Sequence, residues 1–273
     1  MVIIYLWVIL LIAEIKGKIS STGSNLSERL EDKLTGDLFG SLRYISFNKA
    51  MKNILLGTKI LKEDFLYVLG IINKLNIDYW NRNIQFWPYD ILGELDVLLE
   101  FEEIVIGIEV KLYSGLSSDD DVDNSVHNYM MESSHQLARE SRILKKKITG
   151  TGKSALLIFI APEHTCYSIC KDACDRNIIE NGIVLGYLPW EEILDSLERI
   201  TDTGEWNEYE ELIIQDLIAL LKRKGLERFK NFDFACPGID PGLYFVFNGR
   251  KDIDINFTSN QGLITGGKYY EFK

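Results

Sequence analysis

Gly93-Glu94-Leu95-Asp96-Val97-Leu98-Leu99 and, shortly after it, Ile104-Val105-Ile106-Gly107-Ile108-Glu109-Val110-Lys111 are two strand-like runs that carry charges in apolar surroundings. Fully buried strands read as continuous apolar segments. A carboxylate inside one is costly unless it is paired or coordinates a metal. Successive side chains of a strand point to opposite faces. Ile104, Ile106, Ile108, Val110 and Leu112 therefore share one face, and Glu109 and Lys111 share the other. In the first run Leu95, Val97 and Leu99 form the apolar face, with Asp96 opposite it beside Glu94. A hairpin turning at Glu102-Glu103 brings Asp96, Glu109 and Lys111 together on a face away from the core. Two carboxylates and an ammonium converging at one point can hold a divalent cation and activate water.

Outward from this pair, the pattern predicts a helix from Ser27, its N-cap, to about Ser46, with Leu30, Leu34 and Leu38 on one stripe. A second helix is expected over Glu63 to Leu75, with Phe65, Leu66, Leu69 and Ile72 inward. A strand over Asn83–Trp87 ends at Pro88, and the hairpin strands are Gly93–Phe101 and Ile104–Leu112. After the acidic loop Gly115–Asn124, a long helix runs from Val126 to about Lys147. The strand Ala155–Ile160, the helix Tyr167–Asn177 and the strand Ile183–Tyr187 follow, and then helices over Trp190–Arg199 and Glu205–Lys224. The tail alternates apolar and polar residues between Gly, Pro and Asn turns, which predicts a small antiparallel β appendage over 229–273. The expected organisation is a hydrophobic extension over 1–20, one α/β domain over 21–228, and that appendage.

An Asp followed by Glu-x-Lys at the end of an apolar strand resembles the PD-(D/E)XK nuclease superfamily, and the likeness spans roughly residues 27–190. It implies a restriction-endonuclease-like αβββαβ core, a mixed central sheet flanked by helices. Helices before and after the strands often add an acid and a glutamine in that family, and Glu31 and Gln136 stand at the matching places. The segment Leu34 to Tyr44 also looks like the opening of bacterial members. The resemblance implies Mg²⁺, with Mn²⁺ as a substitute, held by Asp96, Glu109 and the Val110 carbonyl, and catalysis by Asp96, Glu109, Lys111, Glu31 and Gln136. It further implies a nucleic-acid partner, DNA rather than RNA, with no small-molecule cofactor and homodimerisation left open. A non-catalytic binding module on the same fold is the rival reading.

A net charge of −11 counts against a nucleic-acid partner, because phosphate-binding proteins usually display a basic patch. Charge is uneven, however. Asp119, Asp120, Asp121 and Asp123 concentrate acid in one loop, while Arg139, Arg142, Lys145, Lys146, Lys147 and Lys153 form a basic stretch. Lys222, Arg223, Lys224, Arg228 and Lys230 form another. Both read first as solvated helix faces.

Cys166, Cys170 and Cys174 recur at helical spacing, which fits the buried face of a helix better than a zinc or iron–sulfur motif, and Cys236 stands apart. Nothing implies disulfides, so the expectation is a reducing, cytoplasmic location. The apolar run Met1–Ala13 is shorter than the ~20 residues that span a bilayer. A packed extension or a start codon set too far upstream is expected there, rather than a membrane anchor.

Gly150-Thr151-Gly152-Lys153-Ser154 is not a phosphate loop, because Lys147 occupies the position of its first glycine and the segment leads from helix into strand. His127, His135 and His164 are too dispersed for a histidine metal site, and His135 beside Gln136 reads as a satisfied histidine.

Overall fold

The computed structural model describes residues 26–113, 115, 116 and 135–228. The chain divides into two units, Met1–Phe229 and Lys230–Lys273. The second unit, the N-terminal extension, the Asp119–Asp123 acids, His127 and Cys236 lie outside the described residues, as does the expected helix before Gln136.

Elements follow in the order α1 (Leu26–Leu42), α2 (Met51–Leu56), β1 (Lys59–Ile60), a 3-10 turn (Glu63–Phe65), α3 (Tyr67–Lys74) and β2 (Ile84–Phe86). Next come β3 (Tyr89–Asp90), β4 (Gly93–Glu94), β5 (Val97–Glu100), β6 (Ile104–Val110), α4 (Gln136–Ile148) and β7 (Ser154–Ala161). The described part ends with α5 (Glu163–Asp175), β8 (Ile183–Pro189), α6 (Trp190–Thr203) and α7 (Glu208–Arg223). The result is an α/β fold. Its mixed six-stranded sheet has the order β1-β8-β7-β6-β5-β2, and β3 and β4 form a separate two-stranded ribbon. β6, β7 and β8 run parallel, while β5, β2 and β1 pair antiparallel.

Why the central strands are so apolar follows from their cover. Every residue of β6 is buried, as expected where helices lie on both faces of a sheet. One face of β6, from Ile104 through Val110 to Leu112, packs with α1, α2, α3, α6 and α7. The other face, marked by Val105, lies under α4 and α5, where Leu137, Leu144, Cys166 and Cys170 close the second half of the core. Gly107 lets α4 approach, since a Cβ there would meet the Leu144 side chain at 3.0 Å. Cys166 and Cys170 are fully buried and Cys174 packs partly buried beside them, so the cysteine stripe is a core face. All three are free thiols.

Several expectations need correction. The run Gly93–Phe101 is two strands, because the chain bends at Asp96 and leaves the sheet before it. That bend breaks the alternation, so Leu95 packs with Leu98 in the second core rather than with Val97 and Leu99 in the first. The face bearing Glu109 is not open but covered, with Glu109 only 2% exposed. The helix expected from Glu63 divides into the 3-10 turn and α3, which leaves Leu66 exposed. α1 begins at Leu26, so Ser27 falls inside its bounds, and Leu30 is exposed near its start. Among the described residues no helix is long and apolar enough to cross a membrane.

Candidate active site

β6 outruns its neighbour. Pairing with β5 ends at Val97 opposite Ile108, so the last residues of β6 face a gap in the ladder. Asp96 fills that gap with a side chain, and its Oδ2 accepts the Val110 N–H at 2.8 Å. The strand geometry that aims this N–H toward Asp96 aims the Val110 carbonyl to the same side. Trp87 fixes the bend from behind, donating its N–H to the Asp96 carbonyl at 2.9 Å from a left-handed backbone, φ 48°. Such a conformation costs a bulky residue about 1–2 kcal/mol, and strain of this kind collects at functional sites.

Glu109 and Lys111 lie beside Asp96 on the same face of β6. Lys111 Nζ reaches Glu109 Oε1 at 2.7 Å, and both side chains are largely buried. The Lys111 backbone is fixed twice: its N–H donates to Ile160 at 2.7 Å, and its carbonyl accepts the Trp190 indole N–H at 2.9 Å. Glu31 arrives from α1 and is itself buried. Its Oε1 accepts the backbone N–H groups of Leu112 at 2.7 Å and Tyr113 at 3.1 Å, which secures the chain leaving β6. Gln136, the first residue of α4, donates from Nε2 to Glu109 Oε1. The His135 Nδ1 accepts the Leu137 N–H at 3.2 Å and caps α4, so this histidine is buried and structural.

The structure therefore brings Asp96, Glu109, Lys111 and Gln136 together. It sets Glu31 one step away, holding backbone, while Glu94, on the β3–β4 ribbon, lines a pocket together with Gln136 and Glu140. It also adds Glu140, one helical turn after Gln136, which hydrogen-bonds with both Glu109 and Gln136. Glu140 is 2% exposed, and its Oε2 has no hydrogen-bond partner among the described residues. The spacing Gln136…Glu140 was the available signal, since residues four apart share a helix face.

Electrostatics follow from this crowding. Burial, then repulsion from Glu109, raises the Asp96 carboxyl well above the usual carboxylate range. Burial and the neighbouring Glu140 do the same to Glu109. Glu140 is pushed up to about 8, mainly by burial. Burial opposes the Lys111 ammonium, yet the charge and hydrogen bond of Glu109, with Asp96 and Glu31 behind it, hold its pKa above the ordinary value. Without a metal the site keeps an ammonium and at least one protonated carboxyl at neutral pH.

Much of the basic stretch on and just after α4 is engaged within the chain. Arg139 donates to the Leu92 carbonyl, Lys145 to Asn181, Lys146 to Asp90 and Lys153 to Glu100. In the second stretch Lys222 pairs with Glu198, and Arg228 with Glu163, Glu192 and Asp195.

Among the described residues no group of three His, Cys, Asp or Glu side chains is arranged to hold a metal ion. A site of two carboxylates, one carbonyl and water does not require such a group. The donor chemistry fits a hard cation: oxygen donors only, carboxyls short of positive charge, and one buried carboxylate oxygen with no partner. No protein-family model, no curated protein and no solved structure matches the chain.

Proposed function

We propose that the chain is a Mg²⁺-dependent endonuclease that hydrolyses phosphodiester bonds in DNA, acts in the cytoplasm, and has a restriction-endonuclease-like core in α1, β2, β5, β6, α4 and β7. The observation that carries this reading is a buried Glu109 flanked by the half-buried Asp96 and Lys111 at the carboxyl end of a central strand. Three carboxyls, Asp96, Glu109 and Glu140, crowd around the one Lys111 ammonium, which is expensive without a further cation, and sites at this end of parallel strands are where α/β sheets take ligands.

Asp96, Glu109 and the Val110 carbonyl would hold the cation, with Mn²⁺ as a substitute. When bound, the ion polarises the phosphodiester and lowers the pKa of a water. Lys111 enters as a charge rather than a base, because its surroundings favour the ammonium. Held 2.7 Å from Glu109, it offsets the negative charge that grows on the phosphoryl oxygens. Gln136 orients the Glu109 carboxylate through its amide. Glu31, through the Leu112 N–H, and Trp190, through the Lys111 carbonyl, hold the Lys111–Leu112 peptide from two sides.

The test is a panel of plasmid, linear duplex, single-stranded DNA and RNA with Mg²⁺ or Mn²⁺, run on wild type, Asp96→Asn and Lys111→Ala. Expected is metal-dependent cleavage of DNA that falls about 10²–10³-fold on loss of the Lys111 charge. Absence of cleavage on every substrate, or full activity in both variants, refutes the enzyme. The net charge of −11 and the internal pairing of the α4 cations favour the rival, a non-catalytic binding module. Metal-independent DNA binding without cleavage would select it.

A further inference from the structure

The β3–β4 ribbon projects two large apolar side chains into solvent: Tyr89 is 81% exposed and Ile91 is 85% exposed. Tyr89 is on β3, and Ile91 is the first residue of the two-residue turn Ile91-Leu92 that joins β3 to β4. The neighbouring Asp90 and Leu92 tie this hairpin to α4. Asp90 Oδ1 accepts the Leu92 N–H at 2.9 Å and the Lys146 ammonium at 3.0 Å. The Leu92 carbonyl accepts Arg139 Nη1 at 2.9 Å, and its side chain packs on the second core. Gly93, at φ 146°, makes room for that guanidinium, since a Cβ there would lie 3.0 Å from Nη1. An anchored hairpin that keeps Tyr89 and Ile91 in water gains little for folding from either side chain and leaves both available to a partner.

The ribbon also borders the candidate active site. A pocket of about 220 Å³ between it and α4 is lined by Leu92, Gly93, Glu94, Gln136, Arg139 and Glu140. Two of those residues, Gln136 and Glu140, touch Glu109 as well. Behind the ribbon the last turn of α4 carries Lys145, Lys146 and Lys147, of which Lys146 and Lys147 are exposed. An aromatic and an aliphatic side chain beside Lys147 and the Asp90-paired Lys146 suit a strand whose bases are unpaired: bases stack or are wedged apart while a phosphate meets Lys147 or displaces Asp90 from Lys146. Two side chains are too small a surface for a stable protein partner, which needs about 800 Å² from each side.

We propose that the β3–β4 ribbon is the platform on which unpaired bases of the DNA substrate rest, with Tyr89 stacking on one base and Ile91 wedging beside it. This rests on the nuclease reading and narrows its substrate to DNA with a single-stranded segment at the site. The test uses the full chain, wild type and Tyr89→Ala/Ile91→Ala, with Tyr209→Ala as an exposed aromatic control on α7. Binding of a labelled single-stranded oligonucleotide is followed by fluorescence anisotropy in EDTA, and cleavage of the same strand in Mg²⁺. Because both side chains are solvent-exposed, the double variant should fold as wild type does by circular dichroism. It should bind the single strand about 5- to 150-fold more weakly, with KM raised and kcat retained, while the control is unchanged. Wild type that cleaves DNA alongside a double variant with unaltered affinity and KM overturns the platform and leaves the nuclease standing. Wild type that neither binds nor cleaves any nucleic acid overturns the nuclease reading and the platform with it. Loss of self-association in the double variant by light scattering, with DNA affinity unchanged, assigns the ribbon to a copy contact and overturns the proposal.

Discussion

Replacing Glu140 with Gln should stabilise the metal-free protein, and increasingly so as pH rises. The folded-state pKa of this carboxyl is raised to about 8 from an ordinary 4.5. Below pH 4.5 it is protonated whether the chain is folded or not, and it adds no pH dependence. Between pH 4.5 and 8 the unfolded chain releases the proton while the folded protein retains it, so stability falls as pH increases. The difference of 3.5 pH units, at about 1.36 kcal/mol each, sets the loss above pH 8 at about 5 kcal/mol. Glutamine cannot ionise, occupies nearly the same volume and can still hydrogen-bond to Glu109. Recovering even ~3 kcal/mol raises Tm by about 6–12 °C in a domain of this size. Thermal unfolding by circular dichroism at pH 5, 7 and 8.5 in EDTA measures it. Wild type and variant should coincide near pH 4.5 and diverge upward. Mg²⁺ should reduce the divergence, because a bound cation favours the ionised carboxylates. Parallel curves across this range would refute the claim that Glu140 is held protonated by its burial.

Two further outcomes follow from packing and hydrogen bonding. Gly186→Ala should destabilise by about 1–3 kcal/mol in urea unfolding, because its Cβ would lie 2.7 Å from Thr58 Cγ2 and 3.2 Å from the Lys59 carbonyl on β1. Trp190→Phe removes the indole donor from the Lys111 carbonyl and should cost about 1–3 kcal/mol. In the cleavage assay it should lower kcat more than it raises KM, an outcome that simple loss of folded protein would not give.

The course of β6 was legible because a strand buried on both faces leaves little choice. Its alternating Ile residues, the pairing of Glu109 with Lys111 and the cysteine stripe are all local patterns that the fold preserves. Alternation also puts Asp96 beside Glu109 and Lys111, but it does not give the contact of Asp96 with the Val110 N–H. Glu94 to Leu99 alternates as a continuous strand would, and only the structure reveals the bend that takes Asp96 out of the ladder. Glu140 was missed for a different reason. In Gln136-Leu137-Ala138-Arg139-Glu140-Ser141-Arg142, a glutamate among arginines reads as part of a wet helix face. What buries it is the descent of α4 onto β6 at Gly107, a contact between segments far apart in sequence. The Trp190 anchor on Lys111 is equally long-range and leaves no local trace.

The gap at the end of β6 makes Asp96 a structural part as well as a chemical one. The Val110 N–H is buried in the middle of the sheet, where a backbone donor left without an acceptor costs about 1–3 kcal/mol. Asp96 supplies the acceptor that β5 does not. Alanine at position 96 would therefore orphan that N–H as well as remove the proposed metal ligand. Asparagine keeps an acceptor oxygen and the bulk. An inactive Asp96→Ala preparation of lowered stability would be reporting a broken ladder end, not only lost chemistry.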